Sequence, residues 1–284
     1  MKAPPFDYAK PATLSEVFPL LEAHGDRARI IAGGQTLLAT LNMRLSEPEM
    51  LIDLSAISDL KGISLQSDCV RIGAMTRHSD IEDSALIAQH VPLLSMAVPH
   101  IAHRAIRNRG TIGGSIAFAD PAAEFPACAV ALDATIILAS QRGERRVKAL
   151  DFFQDLYTTA MEPNEIILAC EFPIRQKTQR FAFDELARRH GDYAIVGLAA
   201  AGELKAGAMT GVRLVFLGTG STPVRAFAAE AAIEGKVPGA QVIDAAQAAL
   251  ATELSPNADL YHSAKAKLHL AGVLMRRSME QLAA

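Results

Sequence analysis

The chain has 284 residues, half of them hydrophobic and 21% charged, and carries a net charge of -3. That size allows two or three subdomains around a substantial core, and the acidic balance excludes the basic face that nucleic acid requires. Glu, Arg, Asp or His interrupts every longer apolar run, and the N-terminal MKAPPFDYAKPATLSEV lacks the greasy stretch of a signal peptide, so a cytoplasmic protein without a membrane span is expected.

In chain order, residues 13–24 read as an amphipathic helix that starts at Thr13 and stops at Gly25. RARIIAGGQTLLATLNMRL reads as strand, glycine turn and helix, and MLIDLS at 50–55 as a strand ended by Asp53. Residues 1–55 thus form a first α/β unit. CVRIGAM (69–75) opens a second unit as a strand, with helical patterns over 77–89 and 92–102. Asp120-Pro121 is a helix-start signal, with Pro126 positioned to shift or kink that start. ATIILAS (134–140), RRVKAL (145–150) and EIILACEFP (165–173) read as strands, which takes the second unit over 56–176. Over 177–284, RFAFDEL, AIVGLAAAGEL and GVRLVFLG read as three antiparallel strands, the middle one poorly separated from helix by periodicity. Alanine-rich helices follow from Ala226.

The three cysteines, Cys69, Cys128 and Cys170, are far apart and never form C-x-x-C. They suggest neither a disulfide framework nor a local iron–sulfur motif. His100 and His103 are the only close histidine pair and read as solvent-facing, so no metal is expected. Cys128, inside PACAVAL, reads as a packed small side chain.

Two double-glycine stretches stand out, Ala32-Gly33-Gly34-Gln35-Thr36 and Thr111-Ile112-Gly113-Gly114-Ser115. Glycine admits positive φ and lets a ligand approach main-chain N–H groups, several of which in one concavity make an anion site. Neither stretch carries the lysine of a P-loop, and Leu217-Gly218-Thr219-Gly220-Ser221-Thr222-Pro223 has proline where a Rossmann fingerprint needs its third glycine. Each pair could be a plain turn. As two loops that link apolar strands to helices, they also suit a clamp on the diphosphate of an extended dinucleotide, its charge balanced by Arg107 or Arg109; the same arginines equally fit a solvated helix end.

AGGQTLLATLNMRL, IRNRGTIGGSIAFADPAAEFPA and RRHGDYAIV, in that order and spacing, resemble the FAD-binding subunit of molybdenum hydroxylases. That family takes in the medium chains of carbon monoxide dehydrogenase-type enzymes and the flavin domain of xanthine dehydrogenase. The resemblance implies an α+β protein with the vanillyl-alcohol-oxidase-like (PCMH-type) FAD-binding fold. Two α/β subdomains would sandwich FAD, and a C-terminal domain with a three-stranded antiparallel sheet and helices would cover one side. It further implies that Ala32, Gly33, Gly34, Gln35 and Thr36 contact the diphosphate and ribityl chain, opposed by Thr111, Ile112, Gly113, Gly114 and Ser115. Glu124 would hydrogen-bond the cofactor, Ile167 would touch its nucleotide end, and Tyr193 would gate access to the isoalloxazine ring. Thr36 for serine, Phe118 for a polar residue and Glu124 for aspartate depart from the usual pattern.

The implied function is electron transfer. Iron–sulfur clusters on a small partner subunit would pass electrons through FAD to NAD, oxygen or a quinone, with a large molybdopterin-binding subunit completing a dimer of heterotrimers. Two alternatives stand beside it: a self-contained FAD oxidoreductase resembling UDP-sugar reductases, and a non-catalytic nucleotide-binding assembly module. Nothing in the sequence specifies the substrate.

Overall fold

The computed structural model describes residues 2–284, built on three sheets that follow one another along the chain. The first is parallel. β1 (Asp7–Ala9), β2 (Ala28–Ile31) and β3 (Met50–Asp53) pair in the order β1-β3-β2, with α1 (Leu14–His24) and α2 (Leu37–Asn42) as crossovers. Thr13 precedes α1 as expected, but its side chain makes no cap; the Glu16 carboxylate instead accepts the Ala12 amide at 2.7 Å. Val17 and Leu21, one helical turn apart, bury the inner face of α1 against β3. Asp53 ends β3 and accepts the Ser55 amide at 2.8 Å, which starts a one-turn 3-10 helix.

The second sheet is antiparallel, in the order β4-β5-β10-β6-β7. It comprises β4 (Ile63–Leu65), β5 (Cys69–Gly73), β6 (Thr135–Ser140), β7 (Gly143–Lys148) and β10 (Ile166–Pro173). β10 is central and buried on both faces except at its last residue, which is why IILACEFP is apolar but for one charge. Its one charge, Glu171, is bracketed by Arg71 at 2.8 Å and by Arg146. A bulge between Ile167 and Ala169 leaves the Leu168 carbonyl free to accept the Ala74 amide at 2.9 Å.

The helical stretches expected over 77–89 and 92–102 are broken into α3 (His78–Glu82), α4 (Ala85–His90), α5 (Pro92–Ala97) and a 3-10 turn at Val98–His100. Ser84 interrupts the first by capping α4 through the Ile87 amide, and Pro92, which has no N–H to donate, begins α5. α6 (Arg104–Arg107), α7 (Ile112–Phe118) and α8 (Glu124–Ala131) follow. The helix expected at Asp120-Pro121 starts later, at Glu124, because Asp120 caps a tight turn instead, accepting the Ala122 amide at 2.9 Å. All of α8 is buried, and burial of Phe125 alone contributes about 2 kcal/mol. α9 (Ala149–Phe152) and the hairpin of β8 (Phe153–Asp155) and β9 (Thr158–Thr159) complete this unit.

The third sheet carries the three expected long antiparallel strands, β11 (Gln179–Leu186), β12 (Val196–Lys205) and β13 (Ala208–Leu217), extended by a two-residue β14 (Val224–Arg225). β12 is a strand throughout, although alanine is a strong helix former, because both neighbours pair along it. α10 (Phe227–Ile233), α11 (Ala240–Glu253) and α12 (Ala264–Ala283) pack on one face; α8 packs on the other and joins this sheet to the second unit. No helix among the described residues is long and apolar enough to cross a membrane.

Candidate functional site

The two double-glycine stretches meet. A Cβ on Gly33 would lie 2.2 Å from the Arg109 carbonyl oxygen, and one on Gly113 would lie 2.7 Å from the Ala74 carbonyl oxygen. These glycines therefore serve close main-chain approach. Only Gly34, at φ 72°, needs left-handed backbone. A Cβ on Gly114 would meet Thr111 Oγ1 at 2.9 Å, with the Ala32 methyl next at 3.5 Å, so Ala32 and Gly114 face each other across the junction.

The loops differ in what they can donate. Ile112, Gly113 and Ser115 give their amides to the carbonyls of Thr76, Ala74 and Thr111, and Gly114 gives its own to the Thr111 hydroxyl at 3.2 Å. The second stretch also follows a helix, α6, and lies in the first turn of α7; the expected strand before it is absent. Packing under the loop imposes this, since β5 leads into Ala74 and Thr76, which need donors. In the first loop, by contrast, the amides of Gly33, Gly34, Gln35 and Thr36 donate to no acceptor among the described residues. Four consecutive N–H groups left open ahead of α2 are the kind of donor that an anion cradle uses.

Beside this junction is a cavity of about 280 Å³ whose lining includes Ala32, Gly33, Arg109 and Thr111. Four cations line it, Lys10, Lys61, Arg77 and Arg109, against one carboxylate, Asp53. Lys61 donates to the Ser55 carbonyl at 2.7 Å. Lys10, Arg77 and Arg109 form no ion pair among the described residues. Burial works against the Asp53 charge, but the Tyr8 hydroxyl at 2.6 Å, the Ser55 bonds and Lys10 together hold its carboxyl below the usual carboxylate range. Open amides and unpaired cations are a donor set that fits the diphosphate of a dinucleotide.

A second group of residues gathers where the second unit meets the third. Glu124 is buried; desolvation first, then the charges of Glu185 and Asp120, push its carboxyl up to about 8, so it is a neutral acid at physiological pH. Asp120 is raised by burial as well, against the pull of the Ala122 amide. Phe118 packs on Tyr157 with centroids 4.9 Å apart. Tyr193 stands 71% exposed, held by Asp192, which accepts the Tyr193 amide at 3.0 Å. Its phenol is nevertheless raised, first by shielding of its inner side and then by the charges of Asp120, Tyr157 and Glu124. An exposed aromatic there fits a gate and excludes a core tyrosine.

Ile167 is buried in the same core cluster as Ile112 and Ile116, with α7 packed on β10. Arg107 does not face the cavity. Its guanidinium is bound by Glu82 at 2.8 and 2.9 Å and by the Ile101 and Ala102 carbonyls, so it locks the turn before α6, and Arg109 alone of the two lines the cavity. His100 is also not solvent-facing as expected, but half-buried with Nδ1 3.4 Å from Glu185 Oε1. His78, under the second loop, is buried edge-on to Phe125 at 5.0 Å, and burial drives it down to about 4, which keeps it neutral.

Sequence reasoning missed Lys10, Lys61, Arg77 and Glu185, which lie far apart in the chain and in no local pattern. Asp53 was visible only as a strand end.

Two family models match in succession: a FAD-binding domain of molybdopterin dehydrogenases over residues 4–175, and a CO dehydrogenase flavoprotein C-terminal domain over 181–282. The 6-hydroxypseudooxynicotine dehydrogenase complex subunit alpha of Paenarthrobacter nicotinovorans is 38% identical, over 98% of this chain and 95% of that protein. Carbon monoxide dehydrogenase from Hydrogenophaga pseudoflava contains a chain that superposes with a TM-score of 0.97 at 35% identity, covering 99% of this chain and 98% of that one. A chain of quinoline 2-oxidoreductase from Pseudomonas putida 86 gives 0.94 at 38% identity, covering 100% and 98%.

Proposed function

From the premise that this chain belongs to the FAD-binding family of molybdopterin dehydrogenases, we propose that its two double-glycine loops hold FAD and that Tyr193 gates it. The chain is a FAD-carrying electron-transfer subunit of a multi-subunit molybdenum hydroxylase, and so part of an oxidoreductase. Bound FAD supplies the redox chemistry, taking electrons singly and releasing them in pairs. The molybdopterin and the iron–sulfur clusters belong to a large and a small partner subunit, in a dimer of heterotrimers that we place in the cytoplasm. NAD, oxygen or a quinone takes the electrons.

The protein's own contribution is grip and tuning. Amides of Gly33, Gly34, Gln35 and Thr36 would hold diphosphate oxygens, and the Arg77 and Arg109 charges would balance them. The Thr111 and Ser115 hydroxyls and the Ile112-Gly113-Gly114 backbone would form the opposing wall, with Ala32 closing the junction and Ile167 lining the nucleotide end. Neutral Glu124 can donate a hydrogen bond, which an ionised carboxylate cannot.

The four open amides of a loop that packs main chain to main chain on the second glycine stretch carry this reading. Its test is the absorption spectrum of the purified chain, with the released nucleotide identified by mass. A yellow protein that releases FAD is expected; a colourless one after expression with ample riboflavin would sink it.

A further inference from the structure

Arg107 is a buried cation that the cofactor grip does not use. The two Glu82 carboxylate oxygens accept from its Nε and Nη2 at 2.8 and 2.9 Å. That leaves Nη1 to donate to main-chain carbonyls, Ile101 at 3.0 Å, Ala102 at 3.2 Å and Pro99 at 3.5 Å. Ala102 stands at φ 46°, a left-handed conformation that a residue with a Cβ keeps only where its surroundings impose it. Arg107 imposes it here by holding the Ile101 and Ala102 carbonyls on one nitrogen.

The same Ala102 carbonyl supports the loop after β11. A Cβ on Gly191 would lie 2.7 Å from the Ala102 oxygen and 3.0 Å from its carbon, and Gly191 is itself left-handed at φ 79°. The loop thus rests on that carbonyl at a position where any side chain would collide with main chain. From Gly191 outward it is one closed turn. Asp192 pairs with Arg188 at 3.2 Å, gives its amide to the Arg189 carbonyl at 3.1 Å and accepts the Tyr193 amide at 3.0 Å. An unbroken line of contacts therefore runs from Glu82 through Arg107, Ala102 and Gly191 to Tyr193.

We propose that Arg107 is a positioning residue for the Tyr193 gate, acting through the Ala102 carbonyl on which Gly191 rests. The inference rests on the reading that Tyr193 gates FAD. Arg107 itself touches neither the cavity nor Tyr193; it fixes the carbonyl, and the turn that carries Tyr193 takes its place from there. Lysine would keep the charge and a bond to Glu82. A point charge cannot, however, hold a carboxylate in a fork and gather the carbonyls at the same time.

The test uses the full chain with bound flavin in four forms: wild type, Tyr193→Ala, Arg107→Lys and the double variant. Flavin absorbance is read first, then the rate at which oxygen reoxidises the reduced protein. Hydrogen exchange over residues 187–194 is measured alongside and needs no flavin. Arg107→Lys should speed exchange there roughly tenfold and leave the other loops unchanged. It should also speed the oxygen reaction about as much as Tyr193→Ala does. The double variant should react no faster than Tyr193→Ala alone, because a gate already removed cannot be misplaced, whereas a general loosening of the fold would add to the rate.

Wild-type exchange or a wild-type oxygen rate in Arg107→Lys, or additive rates in the double variant, overturns this inference alone. A wild-type chain without flavin, or Tyr193→Ala with wild-type oxygen kinetics, overturns the reading beneath it and this inference with it. If Arg107→Lys is unfolded or colourless, Gly191→Ala takes its place in every arm, since it disturbs the same contact from the half-buried loop.

Discussion

Gly33 and Arg109 touch main chain to main chain: the Cβ that Gly33 lacks would fall 2.2 Å from the Arg109 carbonyl oxygen. Each loop is therefore positioned by the other. Because the obstacle is backbone, no rotamer change relieves it, and Gly33→Ala should cost about 1–3 kcal/mol and most of the flavin affinity. Arg109→Ala keeps the carbonyl and should fold normally. Thermal unfolding and flavin content of both variants check this; an unchanged Gly33→Ala would refute the contact.

Arg77 and Arg109 bring unpaired charge to the cavity. Replacing either by glutamine should weaken FAD binding about fivefold to tenfold, with a smaller penalty at high salt. Fluorescence titration of the flavin-free chain at two ionic strengths measures this, and equal affinities would remove the arginines from the grip.

Glu124 has a folded-state pKa of about 8 against an ordinary 4.5, so burial favours its protonated form. Its stabilising share is complete below the ordinary value and is lost as pH rises through 8, by up to about 5 kcal/mol. Glu124→Gln should then gain on the wild type near pH 9 and differ little near pH 5. Urea unfolding at both pH values gives the comparison, and parallel losses in the two proteins would contradict it.

His78 acts on the opposite limb. Held neutral with a pKa of about 4 against 6.5, it must take up a proton on unfolding in acid. Stability present above pH 6.5 should fall by about 3 kcal/mol as pH drops toward 4, and His78→Leu should flatten that limb. Unfolding curves across this range would show a slope that survives the substitution if the assignment is wrong.

Tyr193 is exposed and touches little, so Tyr193→Ala should move stability by less than about 0.5 kcal/mol. Flavin content should hold while the reduced protein reacts faster with oxygen. Unchanged oxygen kinetics would end its role as a gate.

Much of the fold was legible because its signals are local. β10 announced itself as a strand in EIILACEFP, and Gly25 marked the end of α1. Where a cap or a proline cut a periodic stretch, as at Ser84 and Pro92, periodicity alone overran the break. The double glycines showed that main chain comes close to something, but not to what: Gly33 meets Arg109, and Gly113 meets Ala74, contacts set by tertiary packing. Arg107 and Arg109 look alike in sequence, and only the position of Glu82 separates the structural one from the one that lines the cavity. Lys10, Lys61 and Arg77 converge through strand order, which no short motif encodes.

The mutual bracing of the loops also dictates a timetable. A ribosome releases Gly33 and Gly34 long before Thr111 emerges, and in that interval the first cradle has no opposing jaw. With the flavin held between the two loops as proposed, its capture would be a late event in biosynthesis, and a nascent chain arrested between them would leave the translation machinery colourless.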